Sequence, residues 1–425
     1  MGRPVRVRVP SPAQHMAPRE RELTVALLSS TASWSRCLLA ERRFCYRIPI
    51  VCAVFLYNPE VVHFNYGVTH PFRLERLWLT EYLCRRLGLF DGSQRVLRTF
   101  DPADRSNLRV AHSSSYLDAL QGSSDGLMFP GLYRYGLGSG DNPIFPGLWD
   151  YVLHTAGGSL QGAELIVSGE ARRVFHPGGG LHHAMPDRAS GFCYVNDVVL
   201  AIHRLLDAGK RVFYLDLDAH HGDGVQNAFY ERKDVLTLSV HQDGRTLFPG
   251  GGFVQEIGRG DGLGASVNVP LMPHMSDADY LRTWDEVIDP LFHAFGADVV
   301  VTELGADALA GDPLANLELG LRTWWEIMGR IASWDIHWLA VGGGGYDLAN
   351  AMRAWTLAWA AMVGVDVPDE LPPAPDRLVG CAADMSWPRD MWSSPVEGLA
   401  RRPSDEVIAE LIRQVREQVF PYHGL

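Results

Sequence analysis

The chain has 425 residues, of which 47% are apolar and 21% charged, a composition typical of a folded protein with a large core. Its formal net charge of -12 argues against a nucleic-acid-binding surface and favours cationic partners. The longest apolar runs, residues 48–57 and 354–365, are shorter than the roughly 18 residues that a membrane span needs. We therefore expect neither a nucleic acid nor a membrane as a partner.

The first fifty residues differ in composition from the rest. They are Arg-rich, carry a Ser/Thr stretch at 27–35 and show no hydrophobic period that continues into the next element. Glu20, Glu22 and Glu41 argue against a transit peptide. We predict an N-terminal extension over 1–50, disordered or produced by an upstream start codon, and one domain over 51–425.

The six cysteines, at positions 37, 45, 52, 84, 193 and 381, show no CxxC pairs or regular spacing. A chain of this length does not need disulfides to fold. We therefore expect reduced thiols and a cytoplasmic location.

From residue 51 the hydrophobic pattern alternates between the strand period of two and the helix period of 3.6. The predicted strands cover 51–57, 96–100, 212–217, 235–240, 299–303 and 338–341; the predicted helices cover 71–87, 114–120, 195–206, 278–295, 319–334 and 348–362. Such alternation predicts an α/β fold, a single domain with a mostly parallel sheet flanked by helices. The Pro-rich stretch 366–376 is interpreted as a surface loop.

Four segments rich in glycine or polar residues stand next to these elements. Segment 176–192 precedes a helix, and segments 216–224, 303–313 and 342–347 each follow a strand. In open parallel sheets, ligands bind outside the carboxyl ends of the strands. We expect the four segments to meet at one rim and to form the functional site.

The segment VFYLDLDAHHGD, residues 212–223, predicts a metal site. Asp216, Asp218 and His220 alternate along an extended chain, so their side chains would share one face. Acids and imidazoles that are buried after an apolar strand need a compensating positive charge, which a metal ion would supply. The alternative interpretation is a strand end whose charged side chains are solvated. Asp307, after the apolar strand ADVVVT, is the expected third ligand, and Asp312 is its rival. Zinc is the first choice for such an open site, and iron(II) or manganese also fit.

Two further motifs suit acid–base chemistry. His182 and His183 lack the spacing of adjacent metal ligands but suit a proton-transfer pair, each ring oriented by a carboxylate. Asp216 and Asp223 are the expected orienting partners. Tyr346 follows four glycines, and its phenol could donate a hydrogen bond to a developing oxyanion. Exposed histidines and a tyrosine packed under a glycine-rich turn are the structural alternatives.

At these motifs the chain resembles the zinc-dependent histone deacetylases and their bacterial relatives. The matching stretches are GGGLHHAMPDRASGFCYVND, VFYLDLDAHHGDGVQNAFY, LSVH, FPGGG, LGADALAGDP and GGGGYDLANAMRAWT. The resemblance covers about residues 51–365, and the run GDNPIFPGL at 140–148 is most similar to the bacterial acetoin-utilisation deacetylase branch. It implies the arginase-like α/β fold and hydrolysis of the acetamide of Nε-acetyl-lysine in proteins, with release of acetate.

The resemblance also implies roles for single residues. Asp218, His220 and Asp307 would bind zinc, with iron(II) as an alternative in cells. His183 would act as general base and then acid, His182 would assist electrostatically, and Tyr346 would polarise the amide carbonyl. Asp216 and Asp223 would hold the two histidines, and Asp216 with Ser239 would belong to a potassium site. The implied substrate contacts are Asp141 at the rim, Gly191, Phe192 and Phe248 in the walls of a tunnel, and Arg76 at its inner end, where acetate leaves.

The acetoin-utilisation branch implies an acetylated metabolic enzyme, such as acetyl-coenzyme A synthetase, as the protein substrate. Leu247 departs from the family pattern, which often has a second aromatic residue at this position.

Three other functions are compatible with parts of the sequence. An acetylpolyamine amidohydrolase would need an insertion or dimer contact that narrows the entrance, an arginase-like ureohydrolase would need two manganese ions, and the third is a non-catalytic acetyl-lysine-binding protein. The lack of a DxD pair in 303–313 argues against the second, and the complete catalytic set argues against the third.

Overall fold

The computed structural model describes residues 51–127, 130–376, 385–393, 403 and 405–425. The predicted N-terminal extension lies outside these residues, so the boundary near residue 50 stays a prediction. Cys84 and Cys193 are buried free thiols, in agreement with the expected reduced state, and the side chains of the other four cysteines are outside the description. Within the described residues, no helix combines the length and the hydropathy that crossing a membrane requires.

An eight-stranded sheet forms the centre of the described chain, and all neighbouring strands in it are parallel. The strands are β1 (Val51–Leu56), β2 (Arg95–Arg98), β3 (Ala171–His176), β4 (Val212–Asp216), β5 (Val235–Gln242), β6 (Ser266–Leu271), β7 (Val299–Glu303) and β8 (His337–Val341). Their order across the sheet is β2-β1-β3-β8-β7-β4-β5-β6. The predicted α/β fold with a parallel sheet is confirmed.

Helices cover both faces of this sheet. They are α1 (Glu75–Arg86), α2 (Arg105–Leu108), α3 (Ser114–Ser124), α4 (Leu148–Val167), α5 (Asp197–Asp207), α6 (Asp223–Phe229), α7 (Asp277–Thr283), α8 (Asp289–Phe295), α9 (Leu321–Ser333), α10 (Leu348–Val363) and α11 (Asp405–Val419). The predicted helix 278–295 is α7 and α8 joined by a π-helical turn, Trp284–Ile288. Pro290 at the start of α8 lacks the N–H that a regular helix would use there, which accounts for the wider turn.

The apolar side chains of each central strand divide between two buried clusters. In β4, Phe213 and Leu215 belong to the larger cluster, which includes residues of α1, α9 and α10. Val212 and Tyr214 belong to the smaller cluster, which includes residues of α4 and α5. Because both faces are buried, the strands are almost continuously apolar, as expected for a parallel sheet. At one edge of the sheet, α11 packs on β6.

The sequence patterns did not predict β3, β6, α2, α4, α6 or α11, and for β3, β6 and α4 the residues show why. Strand β3 carries Arg172 and Arg173, and β6 contains Pro270, which an edge strand tolerates. Helix α4 is interrupted by Gly157 and Gly158, which weaken a helix. A Cβ at either position would lie 2.3 Å from an atom of the packed chain, so close packing requires both glycines.

Candidate active site

The site lies where four loops meet at the carboxyl ends of β3, β8, β7 and β4. These strands are consecutive neighbours in the sheet, so the loops that follow them converge at one edge. The loops cover 177–196, 342–347, 304–320 and 217–222. Strand β3, which the patterns did not predict, carries the histidine-containing loop to this edge.

Asp218, His220 and Asp307 form a buried cluster of potential metal ligands. One donor atom from each lies within 4.8 Å of the other two. His220 Nδ1 is 3.1 Å from Asp218 Oδ1 and 3.0 Å from Asp307 Oδ2. Backbone N–H groups hold both carboxylates: Ala219 donates to Asp307 Oδ1 at 2.8 Å, and Gly344 donates to Asp218 Oδ2 at 2.7 Å.

This donor set fits a divalent cation. Two fully buried carboxylates side by side require a positive charge between them. Burial lowers the pKa of His220, but the hydrogen bonds to Asp218 and Asp307 and their charges raise it to about 10, so its ring holds a proton between them. A cation that prefers nitrogen and oxygen ligands can replace that proton. Three protein ligands then leave coordination positions for water and substrate.

A turn, and not strand alternation, brings these ligands together. Strand β4 ends at Asp216, so Asp218 and His220 do not continue the extended chain as the pattern predicted. The N–H of Asp218 donates to Asp216 Oδ1 at 3.1 Å, and the N–H of His220 donates to Asp218 Oδ1 at 2.8 Å. Such local side-chain-to-backbone bonds favour a turn over a continuing strand.

His182 and His183 lie beside the cluster, and their Nε2 atoms are 3.0 Å apart. His182 Nδ1 is 2.9 Å from Asp216 Oδ2, and His183 Nδ1 is 2.8 Å from Asp223 Oδ1. Each ring therefore faces the carboxylate that was expected to orient it. An ionised carboxylate can only accept, so each Nδ1 carries a proton and the two Nε2 atoms share one more.

The surroundings place the shared proton on His182. Burial lowers the pKa of His182, but the charges of Asp216 and Asp218 raise it well above its ordinary value. Burial and the charge of His182 lower the pKa of His183 to about 4, against the effect of its hydrogen bond to Asp223. At neutral pH, His183 is thus uncharged and able to accept a proton.

The lowered pKa of His183 predicts an unusual acid limb in kcat/KM. A general base acts only when it is unprotonated. We expect kcat/KM to fall only as the pH approaches 4, whereas an ordinary histidine loses half of its basic form at about pH 6.5. A pH series with circular dichroism and metal content recorded at each point checks this, and a limb centred at about pH 6.5 in the folded, metal-replete protein would contradict it.

Tyr346 closes the site from the glycine-rich loop after β8. Its ring packs nearly perpendicular to the rings of His220 and Phe192, with centroid distances of 6.3 Å and 5.7 Å. Gly345 before it has a φ of 124°, which a side chain would strain. Burial and the charge of Asp307 raise the pKa of Tyr346 well above its ordinary value, so its hydroxyl keeps the proton and can donate it in a hydrogen bond.

A cavity of about 230 Å³ leads from the surface to these groups. A Cβ on Gly191 would lie 2.5 Å from the ring of His183 and 2.8 Å from that of Phe248, so glycine keeps this wall open. The cavity includes all the predicted wall and rim residues, and Leu247 and Leu314 complete it. Its lining is Asp141, His183, Gly191, Phe192, His220, Leu247, Phe248, Leu314 and Tyr346.

Arg76 lies outside this lining, beside the loop that carries Tyr346. Its Nη1 donates to the carbonyl of Gly345 at 2.9 Å, and its guanidinium lies over the rings of Phe72 and Trp355 at 4.3 Å and 4.9 Å. Arg76 is buried, and its Nε has no hydrogen-bond partner among the described residues. A buried cation with an unused donor suits a carboxylate ligand.

Asp216 and Ser239 are the residues of the predicted potassium site, and Asp216 at the end of β4 pairs with Ser239 in the middle of β5. The Ser239 hydroxyl is 2.8 Å from His241 Nδ1, and Asp216 Oδ2 also accepts from the Tyr214 hydroxyl at 2.7 Å. The two residues are thus brought together, and potassium binding stays a prediction.

Glu303 is a site residue that the sequence analysis did not identify. It ends β7 opposite Asp216 of β4, is fully buried, and its Oε1 lies 3.9 Å from His182 Nδ1. Neither carboxyl oxygen has a hydrogen-bond partner among the described residues, and burial raises its pKa well above the ordinary value. An acid at the end of the apolar run VVVTE is the signal that could have identified it.

Comparison with known proteins agrees with this geometry. The family model of the histone deacetylase domain matches residues 70–362. The chain belongs to the histone deacetylase family. This membership makes the protein an amidohydrolase and confirms the family and the enzyme class that the motifs predicted.

The relatives of this family member include bacterial and eukaryotic proteins. The acetoin utilization protein AcuC of Bacillus subtilis (strain 168) is 38% identical over 330 residues, which cover 76% of this chain and 84% of that protein. Histone deacetylase B of Dictyostelium discoideum is 39% identical over 335 residues, or 75% of each chain. Histone deacetylase 19 of Arabidopsis thaliana is 37% identical over 335 residues, 78% of this chain and 64% of that one. The predicted bacterial branch is represented among them.

In this histone deacetylase family member, Gly305 leaves room for the metal cluster. A Cβ on Gly305 would lie 2.0 Å from Asp218 Oδ2, although the backbone φ of -55° suits any residue. We expect Gly305→Ala to displace the Asp218 carboxylate and to lower the metal bound per chain and the activity together. Gly329→Ala is the matched control because it is an exposed glycine of α9 with nothing within 4 Å of an added Cβ. Equal metal content in both variants would show that the Gly305 contact is not limiting.

Proposed function

We propose that the protein hydrolyses the acetamide of Nε-acetyl-lysine in proteins, with zinc bound by Asp218, His220 and Asp307. The observation that carries this proposal is the shape and lining of the cavity. Its walls include the apolar side chains of Phe192, Leu247, Phe248 and Leu314, and the proton-transfer and oxyanion groups lie at its base. A lysine side chain offers four methylenes to such walls and places its acetamide at the base. The exposed Asp141 at the rim can accept hydrogen bonds from the N–H groups of a peptide backbone.

The reaction requires that a water add to the amide carbonyl and that the amine leave with a proton. A divalent cation in the ligand cluster supplies Lewis acidity at the amide. His183 accepts the proton of the attacking water through Nε2 and later returns it to the departing lysine nitrogen. Tyr346 donates a hydrogen bond to the oxygen that gains negative charge. The products are a lysine amine, which takes up a further proton in water, and acetate.

The positive charges around the cavity suit this sequence of events. His182 stays protonated beside His183 and favours the negative charge that develops on the substrate. Arg76, buried behind the Tyr346 loop, offers an unused N–H to acetate as it departs. Potassium at Asp216 and Ser239 would add a positive charge beside the buried carboxylates. Iron(II) is the alternative to zinc in cells.

We propose an acetylated metabolic enzyme of the cytoplasm, such as acetyl-coenzyme A synthetase, as the substrate protein. The similarity to a relative named for acetoin utilization supports this choice. The net charge of -12 also favours lysine-rich protein surfaces over nucleic acid.

The test is acetate release from an acetyl-lysine peptide by the metal-stripped protein refilled with zinc. An acetylated polyamine at equal concentration is assayed in parallel. Faster turnover of the peptide supports the proposal, and faster turnover of the polyamine would assign the protein to acetylpolyamine hydrolysis. Turnover of neither compound would overturn the proposal.

A further inference from the structure

Asp312 is a buried carboxylate that the mechanism above does not use. It lies in the loop after β7 and is 7% exposed. Its Oδ2 accepts hydrogen bonds from the N–H groups of Tyr346 at 2.7 Å and Asp347 at 3.4 Å. Its Oδ1 accepts from the N–H of Leu314 at 2.9 Å. Asp312 is thus not part of the metal-ligand cluster, for which it was the rival candidate.

The loop before Tyr346 is held by hydrogen bonds at Gly343, Gly344 and Gly345, and Asp312 is the acceptor for the N–H of Tyr346 itself. Gly343 and Gly345 have φ values of 101° and 124°, and glycines restrict a backbone less than any other residue. The Tyr346 ring is held by edge-on packing against Phe192 and His220. Within the described residues, the Tyr346 hydroxyl makes no hydrogen bond of its own. The bonds from Asp312 therefore fix the backbone position from which this side chain projects.

A second contact ties the same two loops together. Asp347 caps α10 by accepting a hydrogen bond from the N–H of Asn350 at 2.7 Å. The Asn350 side-chain amide donates to the carbonyl of Ala310 at 3.0 Å. The loop after β7 thus contacts the chain before Asp347, at Tyr346, and after it, at Asn350.

Burial of the Asp312 carboxylate costs free energy of solvation. A buried carboxylate needs strong compensation, and no Lys, Arg or His side chain pairs with Asp312 in the described part of the chain. Three backbone N–H groups supply that compensation, and two of them belong to Tyr346 and the residue after it. We propose that Asp312 is a positioning residue, which aligns Tyr346 with the substrate carbonyl and Leu314 with the cavity wall. This inference rests on the function proposed above.

The decisive experiment is a double-mutant cycle between Asp312 and Tyr346. We expect Asp312→Ala to lower kcat roughly 10- to 100-fold, with a smaller change in KM, because a displaced catalytic group costs about that much. In a Tyr346→Phe background the same substitution should lower kcat much less, since the aligned hydroxyl is already absent. Asp312→Asn keeps one acceptor oxygen and the volume, so it should recover part of the activity. If Asp312→Ala does not fold, the cycle is run with Asp312→Asn.

Amide hydrogen exchange gives a measurement that does not depend on activity. Exchange in a peptide covering 343–350 should be faster in Asp312→Ala than in the parent chain, while bound metal stays unchanged. Asp277→Ala is the matched control: its carboxylate accepts from the N–H of Gly320 in the same loop at 2.8 Å and does not contact Tyr346. That variant should keep the parent kcat.

Three results would overturn the inference: equal losses of kcat in both backgrounds, unchanged exchange in 343–350, or loss of metal in Asp312→Ala, which would make Asp312 a ligand. An inactive parent chain would remove the proposed function, and the exchange measurement would still test the contact between Asp312 and the Tyr346 loop.

Discussion

His183→Ala is expected to lower kcat by about 10²- to 10⁴-fold, the usual contribution of a general acid–base group. His183 is uncharged at neutral pH, its Nδ1 is fixed by Asp223, and its Nε2 faces His182. Alanine removes the group that accepts the proton of the water and returns it to the amine. The measurement is kcat on an acetyl-lysine peptide, with metal content and folding recorded for each variant.

The control for this variant is His293→Ala, a histidine on the surface of α8 with a side chain 65% exposed. It should keep full activity and full metal content. His183→Ala should also keep its metal, because His183 is not in the ligand cluster. Near-parental turnover by a metal-replete His183→Ala protein would exclude His183 as the general base.

Asp307→Asn should remove both metal binding and activity. The substitution keeps the volume and the oxygen that accepts from Ala219, but it removes one of the two charges that the cation balances. We expect metal affinity to fall by at least about 100-fold, because groups that only orient a ligand already contribute about 10- to 100-fold. Metal per chain, measured after dialysis against a weak chelator, and kcat measured with added zinc test this.

Asp312→Asn is the control for the ligand assignment, since Asp312 was the rival third ligand. It should keep its metal under the same dialysis while losing part of its activity. If Asp307→Asn retained metal and Asp312→Asn lost it, the ligand cluster would have to be assigned again.

Much of the site was predictable because its residues follow apolar strands in short motifs. Asp218, His220 and Asp307 follow apolar strands, and the spacing of His182 and His183 favoured a proton-transfer pair over two adjacent metal ligands. The orienting carboxylates Asp216 and Asp223 could be expected on the same grounds, because a buried imidazole requires a fixed partner. The structure brings all of them to one edge of the sheet.

The contacts that the sequence could not predict depend on distant parts of the chain. Whether Asp307 or Asp312 joins the cluster depends on how the loop after β7 meets the loop after β8, and no local pattern specifies that. Gly305 has an ordinary φ, so its importance comes only from the nearby Asp218 carboxylate. Strand β3, with two arginines, and helix α4, with two glycines, have patterns that their tertiary contacts override.

The position of β8 has a consequence for synthesis of the protein. Among the described residues it is the last strand in chain order, yet it lies between β3 and β7 near the middle of the sheet. Until residues 337–341 have left the ribosome, the strands before them can pair only as two half-sheets, β2-β1-β3 and β7-β4-β5-β6, with no strand to join them. Each half exposes an unpaired inner edge, a surface that favours aggregation. The nascent chain should therefore depend on chaperones until β8 enters the gap, and that same event brings Tyr346 to the metal cluster.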